Sequence, residues 1–317
     1  MVRRVVEASV IMPARNAQDT IGRALACLKA QEAPFEYEVI VVDDGSTDAT
    51  VAVAEAAGEP VRVLTQGGLG PAAARNRAVA MSCGRALAFC DADCFPEPGW
   101  LAAGVAALED LELVQGRVLP DAGAERGPYD RTLAVESDRG LWETANLFAT
   151  RAAFDRVGGF EDWLQPVVGK AMAEDLWFGW RVARTGARTG YSEHSVVRHA
   201  VFPRRAADYV RERRRCVHFP EIVAKVPELR STFLFAGVFL DRRTAALDAA
   251  LAGLALAAGT RRPWPLAAAL PYARMAYRRA RQYDGLQPKI ALADLAADLV
   301  CAWALARGSA RHRAPVL

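Results

Sequence analysis

The sequence predicts an α/β protein: a doubly wound, mostly parallel central sheet flanked by helices, followed by an additional C-terminal helical region. Three observations predict it. Short apolar runs alternate with helix-spaced segments four times within the first hundred residues, and such alternation builds parallel β-α-β units. Acidic or glycine-rich turns follow the second, third and fourth runs, and ligands of open α/β sheets collect outside the carboxyl ends of strands. Beyond about residue 230 the chain changes to helix-length apolar stretches bordered by Arg or Lys, so two domains are expected, 1–230 and 231–317.

Taken in order, Ser9-Val10-Ile11-Met12 is the first strand, ended by Pro13. Asn16 to Asp19 offers caps for a helix whose Ile21, Ala24, Leu25 and Leu28 recur at helical spacing. Tyr37 to Val42 is the second strand and runs into Asp43-Asp44-Gly45-Ser46-Thr47-Asp48. Val61 to Leu64 is the third, followed by Gly67-Gly68-Leu69-Gly70-Pro71 and a helix from Ala72 to Met81. Gly68, Gly70 and Ala73 imitate a dinucleotide-binding turn, but that turn belongs after a first strand and this one follows the third. The plainer role of these glycines is a tight turn where backbone approaches a ligand. Ala86 to Phe89 is the fourth strand and leads into Cys90-Asp91-Ala92-Asp93-Cys94. Two carboxylates one residue apart at a strand's carboxyl edge suit a hard divalent cation bound through oxygen, magnesium or manganese. The bland alternative is a pair of turn-capping aspartates.

At this point four segments in order at strand ends resemble the family 2 glycosyltransferases of the GT-A fold. They are Ser9 to Asn16, Val41 to Asp48, Gly70-Pro71-Ala72-Ala73-Ala74-Arg75-Asn76, and Asp91-Ala92-Asp93. The resemblance covers about residues 8–200 and implies an inverting, nucleotide-sugar-dependent transferase. It implies that Pro13, Ala14 and Arg15 border the nucleotide base and that Asp44 or Asp43 accepts a hydrogen bond from it. Gly70, Arg75, Asp91 and Ala92 would line the same donor pocket. Asp93, with Asp91, would hold manganese or magnesium against the diphosphate. UDP is the nucleotide that family frequency favours.

Further along, a helix to Leu108, a strand at Leu113–Leu119 and a mobile loop at 120–130 are expected. Trp142 to Phe148 resembles the family's acceptor-side strand. Arg151 to Val157 is a short helix closed by Gly158-Gly159-Phe160, which in the family shapes a loop against the donor sugar; a simple helix stop is the other reading. Glu174-Asp175 opens the next helix and resembles the family's Glu-Asp motif, which implies Asp175 as the base that deprotonates the acceptor. Acids in a first helical turn also suit the macrodipole alone. His199 matches the position where relatives place a metal-binding histidine, and His194 is the weaker candidate.

Charge divides unevenly. Residues 231–317 carry eleven Arg and one Lys against five Asp, a net +7; the whole chain is +3, which leaves −4 for residues 1–230. Apolar stretches at 233–240, 245–258, 264–277 and 290–306 are short or interrupted for a bilayer span. Such a region fits an anionic membrane surface serving a lipid-linked acceptor, or a helical subdomain or homodimer contact. The arginines at 204–215 suit phosphates; nucleic acid is not expected, since no nucleic-acid module is recognisable. Six cysteines without Cys-x-x-Cys spacing favour a reducing compartment, and Met1 to Val10 shows no secretory signal. The expected place is the cytoplasm or the cytoplasmic face of a membrane. The competing functions are a sugar-phosphate nucleotidyltransferase of similar fold and an inactive membrane-bound scaffold.

Overall fold

The computed structural model describes residues 6–164, 166, 172–283, 285 and 287–317. Arg3 and Arg4, part of the expected N-terminal character, lie outside the described residues. The fold divides into two compact units. The first takes in residues 6–124, 132–164 and 172–201; the second takes in 125–131, 166 and everything described from 202 onward. The expected 230/231 boundary therefore falls inside the second unit, whose arginine-rich start belongs with the helices.

The first unit is an eight-stranded sheet of order β3-β2-β1-β4-β7-β6-β8-β5. Its strands are β1 (Ala8–Ala14), β2 (Tyr37–Asp44), β3 (Val61–Gln66), β4 (Ala86–Phe89), β5 (Cys94–Pro96), β6 (Leu113–Pro120), β7 (Leu147–Thr150) and β8 (Thr189–His199). β1, β2, β3 and β4 run parallel, and β6 runs parallel to β8; β7 is antiparallel to both neighbours and β5 is antiparallel to β8. Burial on both faces explains why β1 and β4 read as continuous apolar runs.

Helices α1 (Ile21–Lys29), α2 (Thr50–Glu55), α3 (Pro71–Ala80), α4 (Trp100–Ala107), α5 (Arg151–Val157) and α6 (Glu174–Ala183) cover the sheet. The core gathers around Phe89, Phe154, Phe160 and Phe178, with the Phe160 and Phe178 rings 4.4 Å apart. Asn146 pins the sheet behind it. It donates to the Arg117 and Ser195 carbonyls, each at 2.8 Å, and accepts from Trp100 Nε1 at 2.8 Å. Where a strand was expected over Trp142 to Phe148, Thr144–Asn146 is a 3-10 turn and Trp142 has φ +55°; only Leu147 onward is extended.

The second unit holds α7 (Ala206–Glu212), α8 (Phe219–Lys225), α9 (Leu229–Thr232), α10 (Arg242–Thr260), α11 (Leu270–Ala280) and α12 (Pro288–His312). A capping box at Asp241 and Thr244 starts α10. Asp294, fully buried, lies 2.9 Å from Arg279 and 3.4 Å from Arg243. The apolar stretch 233–240 turns back on itself through a Phe235–Phe239 bridge and is no helix.

Candidate functional site

The loops at the carboxyl ends of β1, β2 and β3 are laced together by their own polar side chains. Asn16 donates its backbone N–H to Ser46 Oγ at 2.8 Å and accepts from the Thr47 N–H at 2.9 Å. Gly45 and Gly68 both adopt positive φ, and a Cβ on Gly45 would lie 3.1 Å from the Gly68 nitrogen. Pro13 is half-buried, Ala14 is buried and Arg15 is exposed at the rim of these loops.

The two adjacent acids ending β2 do different work. Asp44 spends both oxygens on the glycine loop: Oδ1 accepts from Gln66 Nε2 at 2.8 Å and the Leu69 N–H at 2.7 Å, and Oδ2 accepts from the Gly70 N–H at 2.9 Å. Asp43 Oδ2 accepts from the Gly45 and Ser46 N–H groups, at 3.2 and 3.1 Å. Asp43 Oδ1 is buried and has no hydrogen-bond partner among the described residues. An unmatched buried acceptor is costly unless something supplies a donor.

Arg75, carried by α3, is buried between one carboxylate from the turn after β4 and one from the start of α6. Its guanidinium donates to Glu174 Oε1 at 3.0 Å and to Asp91 Oδ1 at 2.8 Å. It thus ties the turn after β4 to the start of α6. Beside it, burial and then the Glu174 charge push the Asp175 carboxyl well above the usual carboxylate range, against the opposing pull of Arg75 and the Leu176 N–H. α6 is held in place by contact at Gly179, where a Cβ would fall 2.1 Å from the Trp142 ring. On the other side of Arg75's helix, Asn76 clamps Phe160 with two 2.8 Å hydrogen bonds and so shapes the Gly158-Gly159 loop.

Strand pairing assembles the third group. Cys94 on β5 lies opposite His199 on β8, and the Ala200 N–H donates to the Asp93 carbonyl at 2.9 Å. Ligand atoms of Asp93, Cys94 and His199 all lie within 4.8 Å of one another. His199 Nδ1 lies 2.7 Å from the Ala200 carbonyl, which assigns the ring proton to that nitrogen and turns Nε2 toward Asp93 Oδ2, 3.6 Å away. A carboxylate and an imidazole so arranged fit a divalent transition metal such as manganese.

Nine of the residues singled out in the sequence fall into three groups at strand ends and the helices beside them: Asp43, Asp44 and Gly70; Arg75, Asp91, Glu174 and Asp175; Asp93 and His199. Ala92 is buried in the turn between Asp91 and Asp93. Asp91 is tied to Arg75, and the metal-suited cluster among the described residues contains Cys94 in its place. His194 is exposed, 3.7 Å from Glu193. Sequence reading missed Glu143. Burial raises its carboxyl to about 7, and its charge adds to the upward shift of Asp175. It lies within the Trp142–Phe148 segment noted in the sequence, but its burial becomes visible only in the fold.

Residues 9–160 match the sequence model of glycosyl transferase family 2. The chain is 34% identical over 171 residues to the glycosyltransferase AglE of Haloferax volcanii, covering 49% of this chain and 56% of that protein. It is 45% identical over 96 residues to the succinoglycan biosynthesis protein ExoU of Rhizobium meliloti, covering 29% and 28%. The chain spans about half, or less, of the length of these curated relatives. Among solved structures, the mannosyltransferase PcManGT of Pyrobaculum calidifontis, in complex with GDP-Man and Mn2+, has TM-score 0.64 at 21% identity, covering 95% of this chain and 88% of that one. S. aureus TarS in complex with UDP-GlcNAc has TM-score 0.53 at 19% identity, covering 97% and 92%. Likeness at these identities is likeness of fold.

Proposed function

Because residues 9–160 match the sequence model of glycosyl transferase family 2, we propose that the chain moves a sugar from a nucleotide-diphosphate sugar to an acceptor hydroxyl with inversion, Asp175 acting as general base. The observation that carries this is the Asp175 carboxyl: raised by burial and by Glu174, it stands at the start of α6 beside the buried Arg75. A carboxylate whose proton affinity is raised above the ordinary carboxylate range is suited to take the acceptor's proton as its oxygen attacks the sugar.

Around that base each group has a task. Asp43 Oδ1 accepts from an N–H of the nucleotide base, while Asp44 holds Leu69 and Gly70 in the loop that borders it. Uracil offers such an N–H and so does guanine, so competition between UDP- and GDP-linked sugars decides the base. Arg75 fixes Asp91 and Glu174 and keeps both charges paired. Asp93 and His199 would hold the divalent metal, which supplies positive charge against the diphosphate leaving group. Asn76 presents the Gly158–Phe160 loop to the donor sugar.

The second unit, and residues 231–317 above all, is proposed to rest on an anionic membrane surface and reach a lipid-linked acceptor. Of the fifteen large apolar side chains exposed among the described residues, thirteen lie between Phe235 and Leu317. Among the described residues no helix is long and apolar enough to cross a membrane, and the contact proposed runs along the surface. The catalytic proposal is tested by nucleotide release from UDP- and GDP-sugars with manganese, followed by NMR of the product's anomeric centre. Release without manganese, or a product that retains the donor's configuration, would contradict it.

A further inference from the structure

Cys216 lies in the 3-10 turn Arg213–His218 and Cys301 lies midway along α12. Their sulfurs are 2.8 Å apart, and the side chains are buried, 6% and 3% exposed. Packing of the two backbones sets this approach. A Cβ on Gly308, two turns beyond Cys301, would lie 2.3 Å from the Val217 carbonyl oxygen and 3.0 Å from the Pro220 ring. No larger residue fits there, so α12 sits directly on the turn that carries Cys216.

The two thiols are not equivalent. The hydrogen bond from Cys301 holds Cys216 below the usual thiol range against the opposing cost of burial, and the Arg213 guanidinium adds to the lowering. Cys301 is pushed the other way, by the same hydrogen bond and by burial. Thiolate character decides which sulfur attacks first. The other cysteines stand elsewhere: Cys83 is exposed, Cys27 is half-buried, and Cys90 and Cys94 flank the strand-end aspartates of the first unit.

We propose that Cys216 and Cys301 are a reversible dithiol–disulfide pair, closed by a hydroperoxide and opened by a thiol reductant. Cys216 sulfur attacks one oxygen of the peroxide; the O–O bond breaks, the departing oxygen takes up a proton and leaves as water, and Cys216 becomes a sulfenic acid. Cys301 sulfur then attacks Cys216 sulfur; the S–S bond forms, the S–O bond breaks, and the hydroxide leaves as water with the Cys301 proton. Two thiols lose two electrons and hydrogen peroxide becomes two waters. The crosslink joins positions 85 apart in sequence and encloses α8 to α11, most of the second unit and much of its exposed apolar surface. Closing so long a loop restricts the unfolded chain more than the folded one.

The experiment treats the purified full chain with hydrogen peroxide, blocks remaining thiols with N-ethylmaleimide under denaturing conditions, and maps peptides without reduction. The expected result is the Cys216 and Cys301 peptides joined, two hydrogens lighter than their sum, with Cys83 unlinked to either. The joined form should melt on the order of 10 °C higher, and dithiothreitol should reverse both changes. A C216S/C301S double variant should show no peroxide-dependent shift in Tm. Separate alkylation of Cys216 and Cys301 after peroxide would overturn the proposal, as would a sulfinic acid at Cys216 without a link. A link that leaves Tm unchanged would refute the staple. The mapping needs only the native sequence, so it stands even where the double variant fails to fold.

Discussion

Among residues, the neighbours Asp43 and Asp44 show how far a motif reads. Both were visible in the sequence, but which one keeps a free oxygen depends on where the glycine loop folds, and only the fold shows that. Asp43→Asn should raise the KM for the donor about tenfold or more with the fold retained, as expected when a hydrogen bond to a buried carboxylate is lost. Asp44→Asn should instead lower stability as well, because it unpins Leu69 and Gly70; equal effects in donor titration and thermal melting would refute this division. Asp175→Asn should cut turnover by roughly 10²–10⁴-fold while donor binding by calorimetry persists. The pH dependence has a defined sign. A base whose carboxyl is raised works only when deprotonated, so kcat/KM should climb as pH rises through a value above the ordinary carboxylate range. The same shift means that the folded state favours the protonated form, so stability falls as pH rises through that region. Asp175→Asn should abolish the rise in rate and leave only Glu143's share of the stability dependence, which a pH series of initial rates and melts will show. Glu143, raised to about 7 by burial, titrates beside it, and Glu143→Gln separates the two.

Among elements, the β-α alternation was legible because apolar runs of four to eight residues bounded by turn formers have few other readings. β5 was not, being three residues with a proline at its end. Yet β5 sets the third group, since pairing with β8 is what brings Cys94 and Asp93 to His199. Nothing in one dimension says that the strand of Cys94 faces a histidine a hundred residues away. The Trp142–Asn146 segment was misjudged for a related reason: Asn146 has three tertiary hydrogen bonds that outweigh strand propensity. His199→Ala should weaken manganese activation at least tenfold, read as the metal concentration for half-maximal rate, with melting changed little without metal. Unchanged manganese titration would remove His199 from the site.

At the scale of the whole molecule, the charge split seen in the sequence coincides with a split in exposed apolar surface. Liposome sedimentation should find the full chain with anionic vesicles at low salt, and Leu254→Glu with Leu256→Glu should release it. Salt should weaken the binding only in part, since screening acts on the arginines and not on apolar burial. A protein that stays in the supernatant and loses oligomeric order with those substitutions would show that a second copy covers this face. Arg75 has a consequence of another kind, for inheritance. It holds Asp91 and Glu174 together, and losing Arg75 strands the buried Glu174 carboxylate at about 3 kcal/mol or more, whereas losing either acid leaves Arg75 paired with the other. A descendant can therefore shed one acid first, but not the arginine. Arg75 should therefore pass through generations for as long as Glu174 stays buried beside it, while Asp91 is the member free to change first.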